Sequence, residues 1–326
     1  MEIISLGTSS GTPTKTRNVS ATALKMAGAK SWVLVDCGEG TQHQLLRTPL
    51  SLGRLDCILI THVHGDHTFG LPGLLASASL AGRKKTLRII GSAGLESWLK
   101  SCQDMSETYL SYGIEFIDVA TVKNTLRLKH FNVDVHPLSH RVPSYAYSFI
   151  ENQVEQKIDI QKLNADGIPA GPIWGQIQKG ENIKLTDGST LVAQHYMLPD
   201  RKPRKVIISG DNDQPHLLKS AAMDCDVLMH ESTFTAEIAE KVGPQSQHSY
   251  AQLVAEFAEQ AHIKHLILTH FSARYLDYSD AVNSINDIEN EAKKYFSGTL
   301  FLARDFDCFE LDSNGELKHT KNLRAS

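Results

Sequence analysis

The chain has 326 residues, enough for about two average domains or one large domain with a substantial buried core. Hydrophobic residues make up 41% and charged residues 21%, values of an ordinary globular protein, which excludes a disordered or fibrous chain. A formal charge of −4 excludes a protein that coats nucleic acid through its total charge and leaves local basic patches open.

In chain order, residues 1–7 carry an early acid, lack a basic region and run straight into a strand-like segment. No secretory signal is expected, and a cytoplasmic location is. Short β-branched runs that stop at a glycine or polar turn predict buried strands at 2–6, 32–35, 57–60, 206–208, 227–229 and 266–268. Helical spacing predicts helices over 41–46, 71–81, 250–260 and 278–295, so the class is α/β. The least polar stretch, 71–82, falls far short of the roughly 20 apolar residues of a membrane span, and no membrane partner is expected. Residues 151–188 hold seven glycines and prolines and little periodic hydrophobicity, which reads as an excursion from the core. The cysteines Cys37, Cys57, Cys102, Cys225 and Cys308 are odd in number and scattered, as expected of reduced structural thiols.

Fifteen histidines invite a search for metal ligands. Directly after the strand at 57–60 stands Thr61-His62-Val63-His64-Gly65-Asp66-His67, with four potential ligands within six residues. His62 and His64 alternate with Val63, so their imidazoles converge only on a turn or extended loop and not on one helical face. Gly65 is expected to let the backbone bend back and bring Asp66 and His67 to the same point. A lone histidine is ordinarily a satisfied structural residue, whereas three with an aspartate at one strand end point to metal. One loop rarely closes a coordination sphere, and three more strand-like segments end in ligand-type residues: His140, Asp211 and His270. These seven nitrogen and oxygen ligands suit two zinc ions per subunit, or manganese, with Asp211 as the expected bridging carboxylate. Paired metals activate water at neutral pH and clamp the oxygens of a phosphodiester, so metal-assisted hydrolysis is the expected reaction class.

The His62-Val63-His64-Gly65-Asp66-His67 segment, with His140, Asp211 and His270 at the later positions, resembles the signature of the metallo-β-lactamase fold superfamily. That resemblance implies an αββα sandwich, one domain over residues 1–326, with a dinuclear site. The fold alone does not choose among lactamases, thioesterases, lactonases and nucleases. Gly11-Thr12-Pro13-Thr14-Lys15-Thr16-Arg17-Asn18 does, because it resembles the Pro-x-Lys-x-Arg-Asn loop of the tRNase Z family. His230-Glu231-Ser232-Thr233-Phe234 and Gln247-His248-Ser249 resemble two later motifs of that family, and Leu268-Thr269-His270-Phe271-Ser272-Ala273-Arg274-Tyr275 resembles its C-terminal ligand motif. Gly171-Pro172 corresponds to its protruding arm, so 151–188 is implied to be an inserted, flexible tRNA-binding arm.

The resemblance implies His62, His64 and His140 on one zinc and Asp66, His67 and His270 on the other, with Asp211 between them. It makes Asp66 the proton acceptor that orients the attacking water, and His248 the donor to the departing ribose 3′ oxygen. Glu231 is the implied partner of the His248 ring. Lys15, Arg17 and Asn18, with Gly171 and Pro172, are the implied RNA contacts, since cations on a stiff turn suit phosphates. Residues 1–50 hold five basic and three acidic side chains, and Arg201-Lys202-Pro203-Arg204-Lys205 places four cations in five positions. Local positive patches are therefore expected despite the net charge. His43, His136, His195, His216, His262, His265 and His319 are read as structural. The implied activity is removal of the 3′ trailer from precursor tRNA near the discriminator nucleotide, leaving a tRNA 3′-hydroxyl. The resemblance leaves room for 3′ exoribonuclease activity and implies a homodimer. The alternative is a small-molecule hydrolase of the same fold, acting on a cyclic phosphodiester, thioester or lactone. An RNA-binding scaffold without chemistry is the third reading, against which the intact ligand set stands.

Overall fold

Buried runs of Val, Ile and Leu demand cover on both faces of the strands they form. A computed structural model, which describes all residues except 155, 186–187, 200, 279–281 and 324–326, supplies that cover with two facing sheets. The chain divides into two compact units, Met1–Ile150 with Arg204–Ser326, and Glu151–Pro203.

In the first unit, one sheet has eight strands. Their order is Leu317–Asn322, Asp307–Leu311, Glu2–Gly7, Ala21–Lys25, Trp32–Val35, Leu55–Leu59, Leu87–Gly91, Ile114–Asp118. The other has seven: Thr299–Leu302, His265–Thr269, Val227–Glu231, Lys205–Ile208, Ser144–Glu151, Phe131–Leu138, Leu126–Arg127. Tyr147, Phe149, Phe131, Met229 and Phe309 are among the side chains packed between the sheets. A second apolar cluster seats the helices Leu71–Leu80 and Ala93–Met105 on the outer face of the first sheet, and a third seats Ala251–Gln260 and Ile285–Ala292 on the second. The architecture is the αββα sandwich that the resemblance implies. Trp32–Val35, Leu55–Leu59 and Leu87–Gly91 run parallel, as do Lys205–Ile208, Val227–Glu231 and His265–Thr269. Parallel pairing brings successive C-terminal strand ends to one edge, where loops place side chains side by side.

The expected strands and the first three expected helices occur, displaced by a residue or two at their ends. The helix expected over 278–295 is shorter, Ile285–Ala292. Ser284 starts it through a capping box with Asp287, while Leu276 bridges to Ser284 in extended form; Ser279, Asp280 and Ala281 lie outside the described residues. Gly65 also departs from expectation. It opens the short helix Gly65–Thr68 without a left-handed turn, and its missing side chain serves packing, because a Cβ there would sit 2.3 Å from the Phe69 ring. No disulfide forms among the cysteines, and burial pushes the Cys225 thiol up to about 12.

The Glu151–Pro203 unit holds the helices Ile160–Ala165 and Pro172–Gln178 and the paired strands Ile183–Lys184 and Thr190–Leu191. Asp159 caps the first helix by accepting from the Lys162 amide. Leu163, Ile168, Ile177, Leu191 and Ala193 form its own small core, and Arg201 grips Glu151 through two hydrogen bonds of 2.6 and 2.8 Å. The 151–188 excursion falls inside this unit, which runs on to Pro203 because Leu191 and Ala193 belong to that core. Glu155, Thr186 and Asp187 of the excursion lie outside the described residues. No helix among the described residues is long and apolar enough to cross a membrane.

Candidate functional site

The strands of the first unit deliver their terminal residues to one cluster. His62 and His64 follow Leu55–Leu59, while Asp66 and His67 lie on the Gly65–Thr68 helix. His140 follows Phe131–Leu138, Asp211 follows Lys205–Ile208 and His270 follows His265–Thr269. Three overlapping groups of donor atoms form: two hold the expected ligands, His62, His64, His140 with Asp211, and Asp66, His67 with His270, while the third joins Asp211, His248 and His270. Asp211 turns Oδ2 toward His62 and His140, at 3.6 and 3.7 Å, and Oδ1 toward His67 and His270, at 3.5 and 3.4 Å. One carboxylate thus offers one oxygen to each of the first two groups. His270 holds a left-handed backbone, φ 57°, a conformation that costs a non-glycine residue roughly 1–2 kcal/mol.

A surrounding layer decides which way the rings face. The Thr61 hydroxyl donates to Asp36, and so accepts from His62 Nδ1 at 3.1 Å. His67 Nδ1 donates to Asp36 Oδ2 at 2.7 Å, and His140 Nδ1 to the Gln247 carbonyl at 2.8 Å. The Thr233 hydroxyl donates to Glu231 and accepts from His270 Nδ1 at 3.1 Å. Each of these rings therefore keeps a proton on its outer nitrogen and turns its other nitrogen inward. Inward nitrogens meet at 3.1 Å between His62 and His64, 3.2 Å between His140 and His64, and 3.3 Å between His67 and His270. A metal ion held among these crowded nitrogens would take the place of the protons that otherwise bridge them. The donor set, imidazole nitrogens with carboxylate oxygens, fits divalent zinc or manganese.

The charge balance points the same way. Burial opposes protonation of His67, yet the Asp36, Asp211 and Asp66 carboxylates raise its basicity to about 10. Burial also opposes ionisation of Asp66, but His67, His270 and the Gly11 amide, which donates to it at 2.7 Å, hold it well below the usual carboxylate range. Burial, with the neighbouring imidazoles, lowers His62, and it lowers His64 with help from His140 and Arg141. The pocket thus holds an excess of carboxylates over positive charge, which a metal ion offsets.

His248 stands beside this cluster, its Nδ1 at 3.6 Å from Asp211. Glu231 accepts from His248 Nδ1 at 3.1 and 3.2 Å and from the Asn212 amide. Burial disfavours the imidazolium, but Glu231 and Asp211 raise His248 to about 9.

The basic segments correct the expectation drawn from them. Arg17 is only 4% exposed: it donates to Thr8 and to the Ala303 carbonyl, pairs with Asp277 at 2.7 Å and lies over the Phe271 ring. Its guanidinium ties the loop to the body of the protein, leaving Lys15 as the loop's exposed cation. The Asn18 amide donates to Asp305 and its side chain to the Glu39 carbonyl. Of the 201–205 cations, Arg201 pairs with Glu151, Arg204 is buried against the Leu311 carbonyl and Lys205 donates to the Met223 carbonyl. Gly171 caps Pro172–Gln178 in extended backbone, and both Gly171 and Pro172 are exposed.

Sequence reasoning missed Asp36, Thr61 and Thr233, which orient the ring nitrogens. Asp36 had a signal: it ends a buried strand with a carboxylate, as Asp211 does.

Comparison with known proteins places the site in context. The family model described as Anti-Pycsar protein Apyc1 matches residues 1–163. The chain is 47% identical over 317 residues to Ribonuclease Z of Marinobacter nauticus, covering 97% of this chain and 98% of that one. It is 47% identical over 318 residues to Ribonuclease Z of Pseudomonas putida, covering 98% and 99%. Among solved structures it resembles human tRNase Z, short form, with a TM-score of 0.64 and 26% identity over 96% of this chain and 100% of that one.

Proposed function

Since the chain belongs to the ribonuclease Z family, and its first half to the Apyc1 family, we infer that it is a metal-dependent endoribonuclease removing 3′ trailers from precursor tRNA. The observation that carries this reading is the convergence of two nitrogen and oxygen donor groups on the two oxygens of Asp211. We assign His62, His64 and His140 to one zinc ion and Asp66, His67 and His270 to a second, with Asp211 shared and manganese as the substitute. When bound, the metals supply Lewis acidity and neutralise charge on the cleaved phosphodiester.

The residues of the chain do the rest. We assign to the Asp66 carboxylate the orientation of the attacking water and the acceptance of its proton. His248, held charged by Glu231, gives a proton to the departing 3′ oxygen. The bond between phosphorus and that oxygen breaks, leaving a 3′-hydroxyl on the tRNA and a 5′-phosphate on the trailer. Lys15 and Asn18 serve the RNA end from a loop that Arg17 fastens, and the Glu151–Pro203 unit, with Gly171 and Pro172 exposed, engages the RNA by shape. We assign the enzyme to the cytoplasm as a homodimer.

The test is cleavage of a precursor tRNA carrying a 3′ trailer, by metal-loaded protein and by Asp66→Ala, with both product ends mapped. A cut beside the discriminator nucleotide is expected, slowed roughly 10³-fold in the variant. No cleavage by protein holding two metal equivalents would overturn the reading in favour of a small-molecule hydrolase.

A further inference from the structure

The cavity in front of the donor groups has a volume of about 410 Å³. Its acidic lining, Glu39, Asp66 and Asp211, faces a single Arg or Lys, Arg141. Arg141 is exposed and, among the described residues, makes no hydrogen bond and no ion pair. Two other arginines close to the site have protein partners: Arg17 fastens its loop, and Arg274 lies over the Phe234 ring and donates to the Ser272 hydroxyl. The backbone that carries Arg141 is fixed on both sides. His140 is pinned by the Gln247 carbonyl, and the Tyr145 amide donates to the Thr61 carbonyl. A guanidinium presented this way, on a stiff segment and without a protein partner, matches the planar, bidentate geometry of a phosphate.

Resting on the ribonuclease reading above, we propose that Arg141 binds a backbone phosphate of the RNA strand next to the one being cleaved, and so sets which bond meets the metal donors. The cleaved phosphate has the metal pair for its own charge, whereas a neighbouring phosphate in the cavity finds no other arginine or lysine in the lining. Arg141 is then a positioning residue. It makes and breaks no bond in the reaction, and its loss weakens and blurs placement of the strand.

The test pairs protein and substrate changes, using metal-loaded wild type, Arg141→Ala and Arg141→Lys. The substrates are precursor tRNAs in which one phosphate at a time, up to three nucleotides either side of the cut, is replaced by an uncharged methylphosphonate. Arg141→Ala should raise KM roughly 10- to 100-fold, change kcat less, and scatter the cut over adjacent bonds. Arg141→Lys should recover part of the KM and little of the placement, because a point charge lacks the fork. One methylphosphonate position should cost wild type a similar factor and cost Arg141→Ala nothing more. If the two losses multiply at every position, Arg141 touches no phosphate and the proposal falls, with the ribonuclease reading intact. A fall in metal content together with kcat would mean that Arg141 merely supports His140, which also overturns it. Wild-type protein that leaves every precursor uncut removes both readings at once.

Discussion

The strand-end cluster and the Glu151–Pro203 unit hold their side chains in place by opposite means. The cluster draws its residues from across the chain onto two sheets, and behind nearly every ring stands a carboxylate, hydroxyl or carbonyl that fixes its direction. The other unit is built from one continuous segment, with helices of six and seven residues, two-residue strands and a core of five buried side chains. Donor groups that converge on one carboxylate need directions fixed within a fraction of an ångström, which a large packed body supplies. The small local core of the other unit leaves residues such as Gly171 and Pro172 exposed.

Excising the small unit breaks the comparison most severely. Ile150 pairs with Lys205 across adjacent antiparallel strands, so a tight turn can rejoin them. The excised protein should fold and bind metal, while KM for precursor tRNA rises roughly 10²-fold through loss of a second point of attachment. An unchanged KM would show that the unit plays no part in holding RNA. Asp36→Ala acts on the other side of the comparison: freeing His67 Nδ1 should weaken zinc affinity about 10- to 100-fold by calorimetric titration, with little change in the fold. Affinity at the wild-type level would mean that packing alone orients the ring.

A smaller effect appears in the pH profile. His248 lies at about 9, above its ordinary 6.5, so its ion pair with Glu231 contributes fully below 6.5 and is lost as pH rises through 9. Activity that needs the protonated ring falls over the same window. Glu231→Gln should move this alkaline limb of kcat downward, and a limb that stays put would remove Glu231 from the role assigned to it. The smallest change concerns the Arg17 anchor. Burial opposes the charge on Asp277, but Thr16 and Arg17 hold it below its ordinary 3.8. Its contribution is present above 3.8 and lost as pH falls through the lowered value. Asp277→Asn should cost about 0.5 kcal/mol at neutral pH, read as a small drop in Tm that closes in acid. A drop that persists in acid would mean the carboxylate charge is not what holds the loop.

Much of the centre was legible in the chain. Three histidines and an aspartate within six residues of a strand end are a local pattern, and so are the strand endings at Asp211 and His270. The class followed from alternating buried runs and helical spacing, but the edge strands did not. Thr299–Leu302 is partly exposed along its length, and its hydrophobic pattern is too short to stand out. Asp36 was equally available to the same reasoning, and its role emerged only when the His67 ring was seen against it.

The two basic segments divide the sequence's share from that of the tertiary structure. Residue type and local spacing dictate which side chains carry positive charge and which strand ends carry ligand-type residues. Neither property says which cations find partners in the fold. Arg17, Arg201 and Arg204 find their partners at Asp277, Glu151 and Leu311, 260, 50 and 107 residues away in the chain, and the folded core decides such pairings. Charge is written locally, whereas its neutralisation depends on contacts between distant segments. The tertiary structure therefore buried the arginine that the motif favoured and left Arg141 exposed beside the metal donors.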